Sequence, residues 1–138
     1  MATTTAQITL TSADIADNDM SITSTATLTK AATTTGLTLT TGLARKTADF
    51  SSNTVLLDSD HAQSSITAEK AAKVYIKNCN DRGDGTKYVN VLLQAVEIGR
   101  LYGGDWMFIP WVGGSGNDIE VTASDATSTT LEYMAIFE

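Results

Sequence analysis

From Val96 to Glu138 the chain is built of short apolar runs cut by glycine-rich turns, with no stretch at helical period. Val-Glu-Ile-Gly-Arg-Leu-Tyr leads through Gly103-Gly104 into Trp-Met-Phe-Ile-Pro-Trp. Val-Gly-Gly-Ser-Gly-Asn-Asp then separates Trp111 from Ile119, and the segment closes on Leu-Glu-Tyr-Met-Ala-Ile-Phe-Glu. Each run is too short for a helix and is bounded by residues that take positive φ readily, which is how packed antiparallel strands read. Such strands bury their apolar sides only by stacking sheet on sheet. The expected fold is therefore all-β, an antiparallel sandwich or jelly roll, with residues 1–138 forming a single domain around one core.

The amino-terminal part follows a period of two. Residues 7–11 alternate, and an Asp/Asn-rich turn runs from Asp14 to Asp19. From Met20 to Lys30, Met20, Ile22, Ala26 and Leu28 share one side, with Ser24 among them, while Ser21, Thr23, Thr25, Thr27 and Thr29 share the other. That pattern predicts a strand with one side in the core and one side wet or against a partner. Fifteen of the first 41 residues are Thr, a β-branched residue suited to a pleated, half-wet surface. A disordered Thr-rich stalk would be proline-rich, yet the one proline is Pro110. Residues 1–19 are expected to act as an arm docking on a neighbouring subunit.

Further strands are expected at 36–41, 42–48 and 54–57, with a weakly signalled helical turn at 67–72. Lys73–Asn78 and Lys87–Leu93 read as a hairpin joined by Asn80-Asp81-Arg82-Gly83-Asp84-Gly85, a segment dense in turn formers. Trp106–Trp111 has apolar residues on both sides and reads as a central, doubly buried strand. The expected core comprises Trp106, Phe108, Val89, Val91, Ile98, Ile119, Tyr133 and Phe137. Tyr102 and Trp111, at the ends of their segment, are expected as surface anchors.

Charge narrows the choice of partners. The net charge is −7, with no Lys or Arg before Lys30 or after Arg100. Residues 1–29 carry −3, residues 30–100 carry +2 (nine bases, seven acids), and residues 101–138 carry −6. Without a basic cluster beyond Arg45-Lys46, nucleic acid is not an expected partner. No run approaches the ~18 apolar residues of a membrane helix, and no charged start precedes an apolar stretch, so folding in a cytoplasm and no membrane partner are expected. Cys79 stands alone, which excludes an internal disulfide.

The chemical motifs are weak. Gly113-Gly114-Ser115-Gly116-Asn117-Asp118 matches the opening of a calcium-binding β-roll repeat, but there is one copy and Glu120 stands where an apolar residue belongs. Arg82-Gly83-Asp84 is adhesion-like but is also ordinary turn chemistry. Read as a calcium loop from Asn80, the same segment puts Arg82 at a ligand position. Asp58, Asp60 and His61 form a sparse candidate metal cluster without a second motif. Cys79 has no partner His in sequence, and no Ser or Thr sits in an activated-nucleophile motif. No catalytic, cofactor-binding or metal residues are assigned, and no enzyme activity is expected.

The run Ile98-Gly-Arg-Leu-Tyr-Gly-Gly-Asp-Trp-Met-Phe-Ile-Pro-Trp111, the turn Gly-Asn-Asp-Ile-Glu-Val121 and the closing Leu-Glu-Tyr-Met-Ala-Ile-Phe-Glu138 resemble the carboxyl end of small virion structural proteins of tailed bacteriophages. Lys-Val-Tyr-Ile-Lys-Asn78 and Thr-Gly-Leu-Ala-Arg45 fit the same texture, and the resemblance covers about half the chain. It implies a non-enzymatic β-sandwich component of the virion present in many copies, foremost a capsid decoration (cement) protein. A neck, tail or fibre-base component, or a receptor- or carbohydrate-binding module, is the alternative. The implied partners are the major capsid protein or other virion proteins and further copies of the chain, as a homotrimer.

Overall fold

The computed structural model describes residues 3–14, 19–60, 66–67, 70–83, 85–114, 116–125 and 127–138. These carry eleven strands and no helix: β1 (Thr5–Ser12), β2 (Met20–Thr27), β3 (Leu39–Thr40), β4 (Ala44–Ala48), β5 (Thr54–Leu57), β6 (Ala72–Asn78), β7 (Tyr88–Leu93), β8 (Val96–Tyr102), β9 (Trp106–Trp111), β10 (Ile119–Ala123) and β11 (Thr129–Phe137). All described pairings are antiparallel.

Two sheets form the body. In sheet D the order is β5-β10-β7-β8; in sheet C it is β3-β11-β6-β9, with β4 following β3 along the same edge of β11. The chain is doubled back on itself around the β7–β8 turn, so that β6 and β9 pair, then β5 and β10, then β4 and β11. Each successive pair changes sheet, which is the jelly-roll ordering. β1 and β2 stand apart as a two-stranded ribbon.

Alternation decides what is buried. Ala72, Val74 and Ile76 of β6 and Leu131, Ala135 and Phe137 of β11 point inward from sheet C. Val89, Val91, Leu101, Ile119 and Val121 meet them from sheet D, and Trp111 closes one end at 4% exposure. Large apolar side chains withdrawn from water on both layers supply most of the drive to fold. The one lysine directed inward, Lys46 on edge strand β4, lies 6.0 Å from the Phe50 ring centre; an inward charge on an edge discourages further strand addition.

Two glycines are required by close approach. A Cβ on Gly103 would lie 2.1 Å from the Asp81 carbonyl oxygen, and one on Gly113 would lie 1.9 Å from that of Ile66. Asn78, fully buried, locks the first of these corners: its amide donates to the Leu101 carbonyl at 3.1 Å and its side-chain oxygen accepts from Asn80 N–H.

Several expectations are corrected. β6 and β7 are not a hairpin; they lie in different sheets, and the Asn80–Gly85 segment crosses between layers. The true hairpin is β7–β8, closed by Gln94-Ala95 with φ of 50° and 60°, a type I′ turn made without glycine. β9 is an edge strand rather than a central one, which accommodates Pro110. Trp106 (53% exposed) and Ile98 (42%) lie outside the core, while Trp111, expected at the surface, is inside it. Phe108 points outward on sheet C, and Tyr133 packs on the core while partly exposed. Neither side of β2 enters the core. At 67–72, residues 68 and 69 lie outside the described set; Lys70 N–H closes one turn onto the Thr67 carbonyl, and Ala72 already belongs to β6.

Ile119→Ala, emptying a fully buried site, is expected to cost about 2–5 kcal/mol in chemical denaturation, and Trp106→Ala less than half as much. Replacing Gln94-Ala95 by Asn-Gly, which removes side-chain strain at positive φ, is expected to stabilise by about 0.5–1 kcal/mol in the same measurement.

Candidate interaction surfaces

The β1–β2 ribbon is the most exposed regular structure in the molecule. Its register runs unbroken from Thr5↔Thr27 to Ser12↔Met20. Paired residues share a face, so Ala6, Ile8, Leu10, Met20, Ile22 and Ala26, with Ser12 and Ser24 among them, line one mainly apolar side. Thr5, Gln7, Thr9, Thr11, Ser21, Thr23, Thr25 and Thr27 line the other. Leu10 and Ile22 sit directly opposite each other, both 51% exposed. An isolated two-stranded ribbon is marginal in water. This one therefore needs support beyond its own ladder. The expected arm of residues 1–19 is thus one strand of a longer arm that includes β2.

The base of the arm is anchored by Leu28, the last residue of the expected apolar side, together with Leu37 and Glu138, which the alternation did not single out. Leu28 N–H donates to the Thr4 carbonyl at 2.9 Å, and Leu37 N–H donates to that of Leu28 at 3.0 Å. Both leucines are buried, yet neither belongs to the inter-sheet core. The Glu138 carboxylate accepts from Ala31 N–H (3.0 Å) and Ala71 N–H (2.8 Å), tying this base to the start of β6. Leucines interrupting a Thr-rich run were the available signal.

The outer face of sheet C receives the arm. Three rows cross it: Arg45–Glu132–Lys77–Trp106, then Met134–Tyr75–Phe108, then Thr40–Ile136–Lys73–Pro110. Thr4 to Ile8 and Leu28 come against Tyr75, Trp106, Phe108, Met134 and Ile136, leaving an apolar groove of about 290 Å³ between them. The first row holds a nearly buried carboxylate. Arg45 reaches Glu132 with Nε at 2.8 Å and a terminal nitrogen at 2.7 Å, and the Tyr75 hydroxyl donates from 3.2 Å. The hydrogen bond from Arg45, then its charge, holds Glu132 below the ordinary carboxylate range against the opposing effect of burial. Burial, then the Glu132 charge, raises the Tyr75 hydroxyl.

The outer face of sheet D carries a polar network, while Val55, Val96 and Ile98 of the same sheet are also exposed. Arg100 stacks 3.9 Å from the Tyr88 ring centre and donates to Asn90, which in turn donates to Glu97. Tyr102, expected as a surface anchor, is at the surface but engaged edge-on with Tyr88 at 5.6 Å. Of the basic residues in the middle of the chain, Lys73 and Lys77 share sheet C's outer face, whereas Lys87 lies beside the Asn78 corner next to Tyr88 and Ser124.

A cavity of about 580 Å³ opens between the β3–β4 edge and β5, walled by Leu56, Trp111, Tyr133 and Phe137 with Thr40, Thr41 and Asp58 at its polar side. The candidate chemical motifs resolve into local structure. Asp58 accepts from Asp60 N–H; His61 lies outside the described residues, among which no cluster of potential metal ligands occurs. Arg82 is paired with Asp105 at 2.7 Å, and Asp84 lies outside the described residues. In the glycine-rich turn Asp118 accepts from Ser59 N–H, Gly114 accepts from the Ser59 hydroxyl, and the Trp111 indole donates to the Asn117 carbonyl. Ser115 lies outside the described residues. These contacts fasten β5 to the turn before β10.

No protein-family model matches the chain, and no curated protein is detectably similar to it.

Glu132 and Glu138 both have folded values lowered from an ordinary 4.5, the latter by its hydrogen bonds from Ala71 and Ala31. A lowered acid contributes stability that is complete above its unfolded value and is lost as pH falls through the folded one. The melting temperature is therefore expected to drop as pH is taken below 4.5, and Glu132→Gln with Glu138→Gln should flatten that drop.

Proposed function

We propose that this protein is a non-enzymatic structural component of a tailed-phage particle, acting as a decoration protein that clamps neighbouring shell subunits from outside. The observation that carries the reading is the arm: a ribbon with one apolar and one hydroxyl side, anchored at its base and uncovered beyond it. A surface of that kind gains stability only by meeting other protein. The resemblance of the carboxyl half to small virion proteins supplies the kind of partner. The jelly roll is frequent in viral shells, an argument by analogy only.

Charge supports the exterior position. A chain of net charge −7 is repelled by packaged nucleic acid and does not compete for it. The basic residues Lys73 and Lys77 sit among the apolar side chains of sheet C's outer face, while the outer side of sheet D carries a hydrogen-bonded polar network. Sheet C would thus face protein, the shell together with neighbouring copies, and sheet D mainly the solvent. Charged rims of this sort guide encounter and register, and the buried apolar contacts hold the complex.

The end cavity favours a second reading, a ligand-binding module, because aromatic walls with a few polar groups at the rim suit a sugar or similar small molecule. The two are separated by one set of particles. Those lacking the protein are expected to assemble and infect but to lose DNA at a lower temperature, with recovery when purified protein is added back. Particles equally resistant to heat but unable to attach to cells would establish the ligand-binding reading, and particles without tails would establish a neck or tail role.

A further inference from the structure

We propose that the far half of the arm seats in the sheet C groove of a second copy of the chain, apolar side down, so that copies join head to tail. The inference deepens the proposed role as an assembling component and rests on it.

Two unfilled surfaces in one molecule carry it. Leu10 and Ile22 form a cross-strand apolar pair that is half exposed, with Met20 on the same side. The groove walled by Tyr75, Trp106, Phe108, Met134 and Ile136 is open, and Trp106 at its rim is 53% exposed. The arm cannot satisfy its own groove. Its root, Thr4 to Ile8, already forms one wall of it, and the unbroken register carries Ser12 roughly 13 Å farther out at ~3.3 Å per residue. A second arm laid along the first would extend the same apolar layer.

Charge fits the same arrangement. The arm's far end carries Asp14 and Asp19, and no Lys or Arg precedes Lys30. Lys73 and Lys77 flank Tyr75 on the receiving face. Because arm and groove are different surfaces, the contact is heterologous, and such contacts close into rings when the rotation between copies allows. The expected homotrimer is one such ring.

The test is sedimentation of the full chain and its variants. Leu10→Asp with Ile22→Asp removes the arm's apolar pair without touching the core; Phe108→Asp with Trp106→Ser spoils the groove. Wild type should form a defined oligomer, and each variant alone should be monomeric. Mixing the two variants should restore a one-to-one heterodimer, since one intact arm then meets one intact groove, a result that also shows both variants folded. Lys73→Glu with Lys77→Glu should weaken association at low salt by about five- to tenfold, and less at high salt. A wild-type monomer at every concentration, groove variants that still associate, or a mixture that stays monomeric would overturn the proposal. A monomer that nevertheless binds and stabilises particles would leave the decoration role standing, whereas an arm-dependent oligomer with no affinity for particles would refute that role and keep this contact.

Discussion

The pairing of β6 with β11 is the contact on which the rest of the molecule depends. It runs in register from Leu131↔Asn78 to Phe137↔Ala72 without a bulge. Because side chains alternate, this register brings two inward sets, Ala72-Val74-Ile76 and Leu131-Ala135-Phe137, onto one face together. The same register aligns Glu132 with Lys77 and Met134 with Tyr75 on the other face. A slip of β11 by one residue would turn Glu132 and Met134 into the core and Leu131, Ala135 and Phe137 out to water. Core and outer face are thus two readings of a single alignment.

The two outer faces have different chemistry because their edge strands do. β9 brings Trp106, Phe108 and Pro110 to the outer side of sheet C, and the arm root partly roofs them. β8 brings Arg100 and Glu97 to the outer side of sheet D, where they are absorbed into hydrogen bonds with Asn90. One face binds its charged groups to itself. The other retains apolar surface that its own chain covers only in part.

Much of the architecture was legible in residue order, and the errors have a common source. Alternation located β1, β2, β6, β7, β10 and β11 because each has a side chain period set by one buried or one hydroxyl side. It could not say which strand pairs with which. Asn80–Gly85 has every residue a hairpin favours, yet it serves a crossing between sheets. Gln94-Ala95 has none of them and makes the real hairpin, held by Ala95 N–H donating to Glu120 at 3.0 Å. Trp106–Trp111 reads as doubly buried because both its sides are apolar; the cause is an aromatic outer face under the arm, not a central position. The arm read as a strand with one side in the core because period two reveals a side to be covered, not what covers it.

The doubled-back topology also orders events in time. β4 pairs with β11, so a strand near residue 45 waits for one beyond residue 129 before either is complete. Contacts so distant along the chain make the body slow to form. The arm is the opposite: β1 and β2 are neighbours in sequence, and their ladder can close while most of the body is still being synthesised. Yet Leu28, which helps fix its base, faces the groove side chains of β6, β9 and β11 only once those strands have come together. During that interval the ribbon has only its own ladder to hold it, a marginal support in water, so its full ordering follows the closure of the body rather than preceding it.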